Sequence, residues 1–462
     1  MQKFTKILSM AIIAAGVVAC NSGGSSTPSS GWKWIGGSNQ INISNNYQES
    51  TALPSGRDVS VSWIDSAGNL WLFGGQGYGQ NSSESGLLND LWKYNPTTKQ
   101  WQLIGGQSSI NTAGVYGSKG VAAANNYPGG RIGAVSWTDS AGNLWMFGGF
   151  GYASNAQIPG ALNDLWQFNP TTNQWTWMSG QDIIDSSGIY TVKDIADSLS
   201  HPGARLGSIG WIDSTGDLWL FGGANSLSTL NDYNDLWKYN PTSNQWTWIS
   251  GESTLDSNGF YGIQGVPNLR NEPSARLDSV SWLDESGNLW LFGGSGQDGV
   301  NTPLIGQLND LWRYNPTTHL WTWMSGANTA NKYGVYGKQG VSSPNSIPGS
   351  RMHRNPFAWV DASGTFWMFG GDGYGADSQG ILNDLWSYNP NNNQWTWVNG
   401  ATQNNVMGNY GTQNSFSSSN QPGARRDGTG WVQSDGSIVL FGGFGYNATE
   451  SGLLNDLWLF KL

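Results

Sequence analysis

The chain has 462 residues, enough for several small domains or one large repeat domain. Only 11% are charged and 13% are aromatic, and Gly (66) and Trp (28) are unusually frequent, which excludes a disordered chain and argues against a helical bundle. Acids outnumber bases 31 to 21, so the chain offers no basic stripe for nucleic acid.

The N-terminus comes first in chain order. Lys3 and Lys6 precede an apolar run, Ile7 to Ala19, of signal-peptide length and too short to span a bilayer. The run ends Val17-Val18-Ala19-Cys20, which resembles a bacterial lipobox. That resemblance implies acylation of Cys20, a membrane anchor, and export to the bacterial cell envelope, in the periplasm, at the outer membrane or on the cell surface. Cys20 is the sole cysteine, so no internal disulfide is possible. Residues 1–20 are therefore expected to be a lipoprotein signal peptide, residues 21–31, rich in Ser and Gly, a flexible tether, and residues 32–462 the folded domain.

That domain repeats. A Pro-(Ser/Gly)-(Gly/Ala/Ser)-Arg tetrapeptide places Arg57, Arg131, Arg205, Arg276, Arg351 and Arg425 at spacings of 74, 74, 71, 75 and 74 residues. Each Arg precedes a Trp by six residues, or by eight in the fifth unit. A turn such as Asp65-Ser-Ala-Gly-Asn69 follows, then an apolar run ending Gly-Gly, then a variable loop, then Asn-Asp-Leu-Trp. An Asn-Pro turn and a segment like Trp175-Thr-Trp-Met-Ser-Gly180 complete the unit. Four short alternating runs between turn signals predict four strands, a to d, with tight antiparallel a–b and c–d turns.

Four-stranded sheets repeated around an axis predict an all-β, six-bladed β-propeller. The last repeat reaches only its c strand, while an unpaired d-like segment, Trp32-Lys-Trp-Ile-Gly-Gly37, stands near the N-terminus. That segment is expected to pair with the strand around Leu457-Trp458 and close the ring as the outer strand of the last blade.

Gly-Gly ending strand b, an aromatic in c, a Trp in d and an Arg before a resemble kelch repeats over about 430 residues. The units are near 74 residues rather than the usual kelch length of about 50. Some kelch propellers resemble the central domain of galactose oxidase, a copper enzyme whose chemistry needs a Cys–Tyr cross-link and two His ligands. Here Cys20 lies outside the propeller and His201, His319 and His353 are scattered, so copper chemistry is argued against. No HExxH motif, paired cysteines or EF-hand loop is present, and neither a cofactor nor a metal is expected.

The long connections are b–c and d–a, which predicts a loop face and a face of tight turns, with function on the loop face. Candidate ligand-binding residues fall in three groups. The six repeat arginines stand at the start of the innermost strands, where they either bond nearby carbonyls or form a cationic ring for carboxylate or sulfate. A d–a loop motif supplies Tyr116, Tyr261, Tyr336 and Tyr410, which either tuck each loop onto its blade or offer a surface to carbohydrate or protein. His353, Arg354 and Arg426 break the repeat near the channel mouth, and a specific site is expected where symmetry breaks. The leading functional expectation is non-catalytic binding of an envelope protein or glycan. The alternative is a carbohydrate-active enzyme resembling the kelch mutarotase of sialic acid.

Overall fold

A computed structural model describes residues 30–47, 52–80, 82–227, 231–300, 305–354 and 357–462. Cys20, the expected signal peptide and most of the expected tether lie outside these residues. The described chain is all-β: six antiparallel sheets form the blades of a six-bladed propeller. In the first blade, Val61–Ile64 is strand a, Leu70–Tyr78 b, Ser85–Asn95 c and Gln100–Gly105 d.

The alternating sequence of strand a explains its place. Val61 and Trp63 are buried against the neighbouring blade, while Ser62 faces the central axis and is half-buried. Ser136, Gly210, Ser281, Ala358 and Gly430 hold the same position in the other blades, so small side chains line the lumen. The Gly-Gly pair has a backbone cause. In every blade the first Gly has φ of +62 to +69° and the second +94 to +100°, a conformation that side chains oppose. A Cβ on Gly75 would stand 2.6 Å from the Asp58 carbonyl oxygen.

Aromatic side chains fill the wedges between blades. Trp63 and Trp71 of the first blade pack with Trp166, Phe168 and Trp175 of the second. The Trp63 indole also donates across the wedge to the Trp145 carbonyl at 2.8 Å. Burying each such ring stabilises by about 2–3 kcal/mol. The a–b turns follow a fixed rule: Asp65 Oδ1 accepts from the backbone N–H of Ala67 and Asn69, and its Oδ2 accepts from the Trp71 indole. In the sixth blade Gln433 replaces the Asp and Val439 replaces the Trp, so donor and acceptor change together.

The ring closes as expected. The strand Gly31–Gly36 pairs antiparallel with Ser451–Lys461, placing Trp34 opposite Trp458 and Trp32 opposite Phe460. Trp32 is 2% exposed, with its ring 5.2 Å from Phe369 of the fifth blade and 4.8 Å from Phe460.

The d–a connections differ from the expected loop face. Their first halves run beside the b–c hairpins, as where Asn111 N–H donates to the Leu87 carbonyl. Their second halves leave that face and lie along the outer strand of the next blade. Gly120 N–H donates to Trp177 O at 2.7 Å, and Ala123 bridges Trp175 antiparallel. A loop segment that caps an exposed sheet edge satisfies its backbone groups and blocks edge-to-edge association.

Candidate channel-mouth site

The repeat arginines enter strand a beside strand c, where the Asn-Asp-Leu-Trp aspartates stand. Each guanidinium is 0–2% exposed and grips its aspartate with two bonds of 2.6–2.9 Å. The pairs are Arg57–Asp90, Arg131–Asp164, Arg205–Asp235, Arg276–Asp310, Arg351–Asp384 and Arg425–Asp456. Each Arg also donates to the first carbonyl of its Gly-Gly pair at 3.0–3.1 Å. The six side chains therefore form no cationic ring open to solvent, because their N–H groups are used inside the blade.

The loop tyrosines join the same network. Tyr116, Tyr261, Tyr336 and Tyr410 are 4–6% exposed and donate to the second oxygen of Asp164, Asp310, Asp384 and Asp456 at 2.6–2.8 Å. Tyr190 does so to Asp235. An indole N–H two residues beyond each aspartate donates to that same oxygen. Burial, then the adjacent carboxylate, pushes these phenols well above their ordinary pKa. These tyrosines offer no surface to a ligand; they latch each d–a loop onto the following blade.

The residues that break the repeat are brought together. Just after the Arg, five backbone bonds link successive blades: Val59 N–H to Asp427 O, Gly133 to Val59, Gly207 to Gly133, Asp278 to Gly207 and His353 to Asp278, at 2.7–3.4 Å. Between the fifth and sixth blades the pattern changes, and Arg354 N–H donates to the Asp427 side chain at 2.9 Å. Val59, Asp278 and Asp427 have φ of +54 to +60°. For the β-branched Val59 this is an outlier, and such strain clusters at functional sites.

This girdle is chemically two-sided. On the second, third and fourth blades, Ile132, Leu206 and Leu277 follow the Arg. From the fourth blade round to the first stand Asp278, Arg354, Arg426, Asp427 and Asp58. Arg354 Nε lies 3.4 Å from Asp278, and Arg426 Nη1 lies 3.1 Å from Asp372, which also accepts from Gln307. The side chains of Arg354 and Arg426 remain about a third exposed, at 36% and 35%. Asp278, 2% exposed, accepts no hydrogen bond of ordinary geometry on either oxygen among the described residues, and Oδ1 of the buried Asp58 accepts none. Desolvation pushes the carboxyls of Asp58 and Asp278 up to about 7, with Asp427 adding to both shifts and Arg354 and Arg426 opposing them.

His353 does not face the mouth. Its imidazole is buried beside Gly371, in the place that the Ser60, Ser208 and Ser279 hydroxyls take beside the matching glycines. Burial, then the charge of Arg351, drives its pKa down to about 3, so it is neutral near pH 7.

Inside the girdle lies a lumen cavity of about 220 Å³, lined by Ser62, Ser136, Ser208, Ser281 and Arg354 among others. Among the described residues no three His, Cys, Asp or Glu side chains converge to hold a metal ion. Asp278, Asp427, Asp58 and Asp372 were not singled out in the sequence. Asp58 and Asp427 were detectable as charged residues where other units carry Ile132, Leu206, Gly133 and Gly207. Compared with models of known protein families, the chain matches none.

Proposed function

We propose that the chain is an exported, lipid-anchored binding propeller of the kelch type, whose ligand seats on the channel mouth. The kelch reading is supported by six ordered sets of Arg, Gly-Gly, Asn-Asp-Leu-Trp and paired Trp. The lipid anchor is supported by the Val-Val-Ala-Cys20 sequence after an apolar run. Mass spectrometry of the mature N-terminus tests it: a diacylglyceryl adduct on Cys20 is expected, and an unmodified or absent Cys20 contradicts it.

One observation carries the binding site. The guanidiniums of Arg354 and Arg426 stay about a third exposed at the mouth, held there from behind by the carboxylates of Asp278 and Asp372. A hydroxyl both donates and accepts. Its oxygen accepts from a guanidinium, so a polyhydroxylated ligand suits the exposed groups of Arg354 and Arg426. The preferred ligand is thus a carbohydrate of the envelope, with a protein surface as the other class. The lumen, about 220 Å³, is below the roughly 300–1,000 Å³ of ordinary ligand pockets, so the ligand rests at the mouth. Glycan-array binding is expected for the wild type and lost in Arg354→Met; a flat wild-type array contradicts the carbohydrate reading.

A second reading rests on the carboxyls pushed up to about 7, since such groups exchange protons near neutral pH. It is a sugar-active enzyme resembling sialic acid mutarotase. Anomer exchange followed by NMR decides it, and exchange no faster than in buffer removes it.

A further inference from the structure

Five blades have their outer strand covered by the preceding d–a loop; among the described residues, no such cover reaches the first. Between the loop tyrosine and the residue before the repeat proline, the covering hairpin has ten residues: 117–126, 191–200, 262–271, 337–346 and 411–420. Before the first blade the corresponding stretch of sequence, 48–52, has five.

The missing length has a direct consequence at the edge. In the covered blades the hairpin donates backbone N–H groups to the outer strand: Gly120 to Trp177 O, Asp194 to Trp248 O, Gly265 to Trp323 O, Gly340 to Trp397 O and Asn414 to Trp34 O, all at 2.7–2.8 Å. Asn126 adds a side-chain bond to Trp175 O, and Asn271 one to Trp321 O. In the first blade the Asn position is Ala52, and the second strand-d Trp is Leu103. Among the described residues, no such bond reaches the carbonyls of Trp101 or Leu103. Beside them runs a groove of about 650 Å³, lined by Tyr47, Ala52, Lys93, Gln100, Trp101 and Leu103.

The charge here opposes that of the whole molecule. Lys99 in the adjoining turn is exposed. Lys93 lies 4.0 Å from Asp65 Oδ2. In a chain with ten more acids than bases, two lysines, Lys93 in the groove and Lys99 in the adjoining turn, therefore flank this edge.

We propose that the outer strand Gln100–Gly105 is a docking edge for an extended acidic peptide segment of a partner protein. The segment adds antiparallel to the strand, in the place that the chain's own hairpins occupy on the other five blades. Those hairpins supply the template: N–H groups facing the carbonyls of the first and third residues of the strand core, in antiparallel register. The groove takes its apolar side chains, and the lysines choose its charge. This edge lies on the rim and is independent of the channel mouth.

The probe is a pool of fluorescein-labelled octapeptides that alternate Glu or Asp with Val, Ile or Thr, set against a matched pool with Lys or Arg in place of the acids. Fluorescence anisotropy is expected to show saturable binding of the acidic pool and weak binding of the basic one. Replacing residues 48–52 by the sequence of residues 117–126 fills the edge and is expected to abolish binding. Leu103→Pro removes an outward N–H and is expected to weaken binding about tenfold. Lys99→Glu is expected to weaken it about threefold, the scale of one exposed charge pair. Because the loop graft can fail to fold, Leu103→Pro and Lys99→Glu, each with unchanged thermal unfolding, stand as independent tests. Failure to bind either pool, equal binding of both, or binding unchanged in both point variants overturns the proposal. So does dimerisation in sedimentation that Leu103→Pro abolishes, which assigns the edge to a second copy.

Discussion

Arg131 and Asp164 form a fully buried, two-bonded ion pair at 2.7 and 2.8 Å, with both side chains 0% exposed. Asp164 accepts two further bonds, from Tyr116 and Trp166, so one carboxylate ties strand a, strand c and the incoming loop together. Breaking such a pair strands a charge in a dry interior, whereas removing both charges does not. Arg131→Met and Asp164→Leu are each expected to cost about 3–5 kcal/mol, and the double variant less than the worse single one. Denaturant unfolding of the four proteins checks this double-mutant cycle; additive losses contradict it.

Ring closure rests on the first described strand. Trp32 fills the wedge between the fifth and sixth blades, with Phe369 and Phe460 against its ring. Trp32→Ala is expected to cost about 3–5 kcal/mol, the range for emptying a packed aromatic site. Hydrogen exchange checks where the loss falls: protection should drop first in Ser451–Lys461, which pairs with this strand. A uniform change across all blades contradicts the latch.

The mouth carboxyls make a pH-dependent cost. Asp278 has a folded-state pKa of about 7, above its ordinary 3.8. Between those values the native state binds more protons than the unfolded chain, so this group's contribution to stability is lost as pH rises towards 7. His353, lowered to about 3, acts oppositely: stability is lost as pH falls below 6.5. Asp278→Asn isolates the carboxyl, being nearly neutral at pH 4 and stabilising by about 1–3 kcal/mol at pH 8. Thermal unfolding at both pH values checks it, and an equal effect at both contradicts the assignment.

The ring was legible because its signals are local and repeated. Arg-to-Trp spacing, Gly-Gly and the unpaired strand at Trp32 fixed blade number and closure without any contact being known. The candidate site was only partly so. Arg131 and Tyr116 recur in every unit or nearly so, and recurrence signals scaffolding, but nothing local reveals that both meet on Asp164. Arg354 and Arg426 stood out by breaking the pattern, whereas Asp278 was hidden because an Asp beside a turn looks ordinary until its burial is known. The descent of the d–a hairpins along the rim depends on pairing across more than fifty residues, for which the chain has no local mark. Their lengths, ten residues against five, were nonetheless countable.

The central claim is that recurring residues hold the propeller while the exceptions at its mouth bind. Isothermal titration calorimetry of the best glycan-array hit against wild type, Arg354→Met and Tyr116→Phe tests it most directly. Arg354→Met is expected to weaken binding about tenfold or more in protein that still unfolds cooperatively, as loss of a charge-assisted contact does. Tyr116→Phe is expected to bind like wild type while losing about 1.5–3 kcal/mol of stability. Binding that survives Arg354→Met, or that fails in folded Tyr116→Phe, would contradict the account.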